Sequence, residues 1–289
     1  GFYNLEINNS EKIQSQICIL AIGHSARDTF EMLYNKSFSM EQKPFAIGVR
    51  VEHLQDMINK SQYGVDNCEG LPAAPYKLTY NTKSKRGVYS FCMCPGGCVV
   101  NASSEDKRLA VNGMSYSARD GKNANSAIVT TITPNDFESK HPLAGMYLQR
   151  ELEEKAFNEG KGAIPVQLYG DFVNNKISHE FGNVIPDIKG KYSFANIKNV
   201  LPKYICDSIE EAMPYFGKKI QGFDNKDTVF AAIESRTSSP VRIIREDDFQ
   251  SVFKGVYPCG EGAGYAGGIT SAAIDGIKVF ESIISEFRP

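Results

Sequence analysis

The segment from Gly255 to Ile269, GVYPCGEGAGYAGGI, constrains this chain more than any other. An apolar run, Val256 to Cys259, leads into a glycine-rich loop, and the loop leads into a helix predicted over Gly268 to Phe287. Glycines permit left-handed backbone and remove the Cβ atoms that would block a ligand. A helix start presents N–H groups without intrahelical acceptors and a partial positive charge. Such a place suits a phosphate or another electron-rich oxygen. Ala272, Ala273 and Gly276 are small, so the helix can pack closely on a sheet. The plainer alternative is a turn that only lets two elements touch, but the run of glycines is longer than a turn requires.

The other end of the chain has the same character. Gln16 to Gly23 is a short apolar run closed by glycine, as expected of a strand buried on both faces in a parallel sheet. Ser25 to Tyr34 follows with helical spacing, with Ser25 or Asp28 as the candidate cap. Before it, Gly1 to Asn8 alternates like a strand, Asn8-Asn9-Ser10 is a turn cluster, and Ile13 to Ile22 reads as a second strand. The expectation is a chain that starts inside a sheet, without a start methionine, as part of a longer protein.

Between these ends the pattern changes. Phe45 to Glu52, Tyr76 to Asn81, Gly87 to Met93, Cys98 to Ala102 and Leu109 to Met114 are strand-like runs punctuated by turn residues. Pro142 to Phe216 reads as mostly helical, and Thr228 to Glu234 is again an apolar strand. The expected divisions are 1–36 and 227–289 for an α/β layer. An insertion at 37–226 would be β-rich over about 44–118 and mostly helical over about 142–216.

Bulk properties narrow the partners. A net charge of -2 argues against nucleic acid or an anionic membrane as the main partner, and no apolar run reaches the roughly 18 residues needed to cross a bilayer. Seven scattered cysteines, an odd count, suit a reduced, cytoplasmic setting. The oligomeric state is not readable.

GEGAGYAGGI, with TSAAIDG after it, resembles the C-terminal flavin-binding motif of bacterial FAD-dependent dehydrogenases, distant relatives of the glutathione-reductase-like flavoproteins. CILAIGHSARDT, from Cys18 to Thr29, is similar to the strand end of the same class that closes in alanine, threonine and glycine, with Ile22 in the threonine place. The likeness extends through Gln42 to Glu52, Tyr89 to Val100, Asn112 to Asn125 and Glu234 to Arg245. It implies FAD contacts from Gly23, His24, Gly260, Glu261, Gly262, Gly264, Tyr265, Ala266, Gly267, Gly268 and Ile269. Glu261 takes the acidic place on the ribityl chain, and the helix start at Gly267 and Gly268 faces the pyrimidine edge of the ring. The G-x-G-x-x-G fingerprint for the pyrophosphate is absent from this chain and is expected upstream of Gly1.

The resemblance thus implies an α/β protein with an α+β insertion. A split, Rossmann-like FAD-binding domain, partly missing, would hold an inserted β-rich and helical substrate domain. Its activity would be hydride transfer between FAD and an unidentified small-molecule substrate, with NAD(P) as a candidate electron donor and weak FAD occupancy in this chain alone. The rival is a nucleotide-binding or scaffolding module without redox chemistry.

Three further residues are catalytic candidates. Cys92 and Cys94, in FCMCPGGC, alternate onto one strand face, toward a core or a ligand. The one-residue spacing and the lack of a distant CxxC disfavour structural zinc. The readings left are a redox role near the flavin or buried small apolar packing. Arg236, with Arg242 in SRTSSPVR, is a candidate clamp for an anionic group, against the alternative of a capped turn with solvated arginines.

Overall fold

The asparagine pair after the first strand turns the chain back on itself. Asn8 and Asn9 both take left-handed φ, 52° and 55°, which asparagine tolerates better than most residues and which hairpin turns require. The turn joins the strands Tyr3–Ile7 and Glu11–Ser15 in an antiparallel pair. The computed structural model describes residues 3–287. Gly1 and Phe2, which the first expected strand includes, lie outside the described residues.

The fold is mixed α/β with several sheets, and the chain divides into two compact units. One comprises Gly1–Phe45, Thr133–Leu148 and Ser238–Pro289. In it the strand Cys18–Leu20 lies parallel to Val256–Pro258, with Cys18 opposite Val256 and Leu20 opposite Pro258. The two ends of the chain therefore meet side by side, as their apolar runs suggest. Each strand leads toward a helix, Arg27–Asn35 in one case and Ile269–Glu286 in the other. Neither expected cap is used by the first helix, whose N-cap is Ala26 without a side-chain hydrogen bond. A second pair, Met40–Gln42 with Val241–Ile243, is antiparallel. Phe30, Leu33, Leu143, Met146, Val241 and Ile243 form one core of this unit, and Tyr257, Cys259, Val279 and Ile283 form another.

The other unit comprises Ala46–Ile132 and Gln149–Thr237. Its centre is a seven-stranded sheet. From one edge the order is Tyr192–Phe194, Ile164–Leu168, Val229–Glu234, Phe45–Leu54, Asn123–Ile132, Gly87–Cys94 and Thr79–Asn81. A smaller sheet joins Ile188–Lys189, Gly97–Asn101 and Val111–Ser115. The strand Phe45–Leu54 is buried along nearly its whole length. Because side chains alternate, Gly48, Arg50 and Glu52 share one of its faces. Gly48 is required there: a Cβ would lie 1.9 Å from the carbonyl oxygen of Ile128.

Several expectations are corrected here. About half of the stretch 142–216 is helical, but strands interrupt it. Ile164–Leu168 and Tyr192–Phe194 are strands of the large sheet, and Ile197–Asn199 is a single 3-10 turn. A short apolar run does not reveal its period, and burial between neighbouring strands decides it. The strand Val229–Glu234, expected to open the return to the α/β layer, pairs with Phe45–Leu54 and Ile164–Leu168 and clusters with the insertion. Among the elements that escaped the sequence reading are the helix Gln55–Tyr63 and the strand Asn123–Ile132.

Candidate functional site

The glycine loop is built from two kinds of glycine. Gly262 and Gly264 are packed. A Cβ on Gly262 would sit 2.4 Å from the carbonyl oxygen of Gly23, and one on Gly264 would sit 2.8 Å from the Cα of Arg242. Gly260 and Gly264 take φ of 77° and 90°, where other residues are strained. Gly23, Gly267 and Gly268 are open: a Cβ on any of them meets nothing within 4 Å. Gly268 is the N-cap of the helix Ile269–Glu286, is extended at φ 177° and gives no side-chain cap. The space ahead of this helix start is thus bordered by bare backbone and by Ile269, which is 93% exposed.

The remaining candidates divide between that space and the loop's own support. His24 Nδ1 lies 2.8 Å from Glu261 Oε1, both half-buried, so the two chain ends are tied at their acidic and imidazole side chains. Tyr265 supports the loop: its hydroxyl donates to the Ile243 carbonyl at 3.0 Å and accepts from the Arg245 N–H at 3.2 Å. Ala266 is buried.

The sequence reading missed the anchor of this loop, the pair Arg245 and Asp275. Arg245 donates to both Asp275 oxygens at 3.0 and 2.6 Å and to the Pro258 carbonyl at 2.8 Å, with its guanidinium 3.6 Å from the centre of the Tyr265 ring. Asp275 also accepts the Gly260 N–H at 2.8 Å. Burial pushes the Asp275 carboxyl up, but Arg245 and the Gly260 N–H outweigh it and hold the group below its ordinary range. The one available signal was an aspartate among the small and apolar residues of the helix's first turns.

A second cluster lies in the other unit, around Cys92 and Cys94. Arg50 is fully buried behind them. It donates to the Cys92 carbonyl at 3.1 and 2.9 Å, to Asn125 Oδ1 at 3.0 Å and to Asn112 Oδ1 at 3.4 Å, and lies 3.7 Å from Cys94 Sγ. Glu234 is 3.8 Å from Arg50, and its Oε2 is buried without a hydrogen-bond partner. Burial pushes the Glu234 carboxyl up to about 7 against the pull of Arg50. The Cys94 thiol donates to the Cys92 carbonyl at 3.4 Å. The neighbouring Cys92 thiol first, and Arg50 against the effect of burial, bring Cys94 down to about 6, whereas the Cys94 thiol and burial raise Cys92 above its ordinary range.

Arg236 has found a partner within the fold. Its guanidinium makes a bidentate pair with the buried Glu153, at 3.0 and 2.8 Å, and donates to Ser104 Oγ at 2.6 Å. Glu153 is the acidic partner that the spacing could not reveal.

The model of the FAD-dependent protein, C-terminal domain-like family matches residues 44–237. The chain belongs to this family. The match to the FAD-dependent protein family includes Cys92, Cys94 and Arg236. It stops short of Gly23, His24 and the glycine loop, so the reading of that loop rests on its own geometry. The chain is also 52% identical over 284 residues to an uncharacterized protein of Clostridium beijerinckii, a match covering 96% of this chain and 53% of that one. The chain spans about half the length of this curated relative.

Proposed function

We propose that this chain is the flavin-facing part of an FAD-dependent oxidoreductase, with the glycine loop and the strand end at Gly23 on the cofactor. The observation that carries the reading is the division of the glycines. Gly262 and Gly264 are explained by packing, whereas Gly23, Gly267 and Gly268 leave open a space that the fold itself does not fill. A flavin ring is flat and presents electron-rich carbonyl oxygens, which suits bare backbone beside a helix start. Gly267, Gly268 and the first turn after them would receive the ring, and Glu261, held by His24, would accept from a polyol hydroxyl. FAD supplies the hydride chemistry when bound, and the protein positions and tunes it.

In this reading the parallel pair of Cys18–Leu20 and Val256–Pro258 belongs to a split, Rossmann-like domain, and the unit around the large sheet binds the substrate. NAD(P)H is the proposed electron donor. Free cysteines throughout suit a cytoplasmic location, and no described helix is long and apolar enough to cross a membrane.

The test places Gly267→Val and Gly268→Val in the protein encoded by the complete gene. Both variants are expected to fold, by circular dichroism, and to lose flavin on gel filtration. Full flavin retention in both would mean that the open glycines serve no cofactor.

A further inference from the structure

The strand Gly87–Cys94 is irregular where its two cysteines lie. Asn125 pairs with Cys94 and Ala127 with Phe91, so three steps along the cysteine strand oppose two on its neighbour. The extra residue falls at Cys92 or Met93, and Cys92 takes a left-handed φ of 45°. A residue with a β-carbon rarely holds that conformation, and such outliers gather at functional sites. In a regular strand, residues two apart are about 6.6 Å apart, near the upper limit that a disulfide spans. At the bulge the Cys94 thiol turns back onto its neighbour and donates to the Cys92 carbonyl at 3.4 Å.

The surroundings are built to hold this pair. Gly113 is bare where a Cβ would lie 2.1 Å from Arg50 Nη2, so the guanidinium has room to reach the Cys92 carbonyl and the Cys94 sulfur. Arg50 is shared with the otherwise unpartnered Glu234, and Asn125 and Asn112 fix its plane. Cys92 is exposed, whereas Cys94 is buried. A buried packing pair needs neither the bulge nor an arginine at its back, nor does it present one sulfur to solvent.

We propose that Cys92 and Cys94 form a thiol–disulfide exchange site for small disulfides, in which Cys92 meets the substrate and Cys94 acts as its base and then as the resolving thiol. As the Cys92 sulfur attacks one sulfur of a disulfide R–S–S–R, its proton passes to the Cys94 thiolate. The S–S bond of the substrate breaks, one RS⁻ leaves, and a Cys92–S–S–R mixed disulfide forms. The released RS⁻ takes the proton from Cys94, and the restored thiolate attacks the Cys92 sulfur. The Cys92–Cys94 disulfide closes and the second RS⁻ departs. Two protein thiols are oxidised to one disulfide, and one substrate disulfide is reduced to two thiols. The charge of Arg50 stabilises the Cys94 thiolate before the first step and again once it is restored for the second.

The experiment uses the reduced chain, glutathione disulfide as the probe, and peptide mass spectrometry after rapid acid quench. In the wild type, the Cys92–Cys94 disulfide is expected to accumulate at least about tenfold faster than glutathione adds to Cys68, a surface thiol outside the cluster. Cys94→Ser should trap glutathione on Cys92 and slow its attachment, because the base is gone. Cys92→Ser should leave Cys94 unmodified. Reaction at Cys92 no faster than at Cys68, or no trapped adduct in Cys94→Ser, would overturn the proposal. No flavin enters the test, so its failure would leave the flavin reading standing.

Discussion

At the scale of single residues, the large sheet is unusual for the charges it buries. Glu52 shares a strand face with Arg50, and its Oε2 accepts from Asn123 Nδ2 at 3.0 Å and from the Asp187 N–H at 2.9 Å. Its Oε1 is buried without a partner. Burial pushes the carboxyl up to about 7, and the two hydrogen bonds pull it only part of the way back. The folded chain thus keeps a proton that an unfolded glutamate, with an ordinary value of 4.5, has released. Where the native state binds the extra proton, stability falls as pH rises, by about 3 kcal/mol at most at ~1.4 kcal/mol per pH unit. Glu52→Gln keeps an acceptor for both donors and does not titrate. The wild type is expected to lose thermal stability from pH 5 to 8, and the variant to lose less and to be the more stable at pH 8. The flattening is partial, because Glu234 titrates in the same window. Parallel decline of the two proteins would assign the loss to other groups.

At the scale of elements, glycine position separates folding from binding. Gly48→Ala forces a Cβ into the Ile128 carbonyl between two central strands, and Gly262→Ala forces one into the backbone of Gly23. Overpacking of this kind costs about 1–3 kcal/mol or more, since main chain yields less than a side chain. Both variants should show lowered thermal midpoints, whereas Gly267→Ala, facing open space, should melt like the wild type. Equal melting of Gly262→Ala and the wild type would mean that the two chain ends are not held as described. The strand–loop–helix at 255–286 was legible because glycine, an apolar run and a long apolar helix follow one another there. The strand Asn123–Ile132 was not, since Asn123, Asn125 and Ser126 are polar yet buried, and only their partners across the sheet explain them. The same holds for the candidate sites. Cys92, Cys94 and Glu261 could be named from the sequence, but Glu234 and Asp275 matter through Arg50 and Arg245, which fold beside them from distant positions.

At the scale of the whole molecule, the last long helix stands out because it is apolar on two sides. Val279 and Ile283 are buried in the core of their unit. Ile274, Ile277, Phe280 and Ile284 recur at helical spacing on another face and are 41–58% exposed. A surface helix ordinarily carries one apolar stripe and a polar face opposite, and a helix apolar on more than one side is usually covered. Contiguous exposed apolar surface drives association in water, at about 25 cal/mol for each Å² removed from solvent. The chain on its own is therefore expected to self-associate as its concentration rises. Ile277→Lys with Phe280→Lys should oppose this, because two like charges on the stripe must be desolvated for copies to meet. Neither side chain belongs to the buried cores, so the thermal midpoint should stay within about 1–2 °C of the wild type, as surface changes usually stay within ±0.5 kcal/mol. Sedimentation velocity across a concentration series reads the outcome directly. A wild-type chain that stays monomeric throughout, or a double variant that associates equally, would show that this face does not govern the behaviour of the molecule in solution.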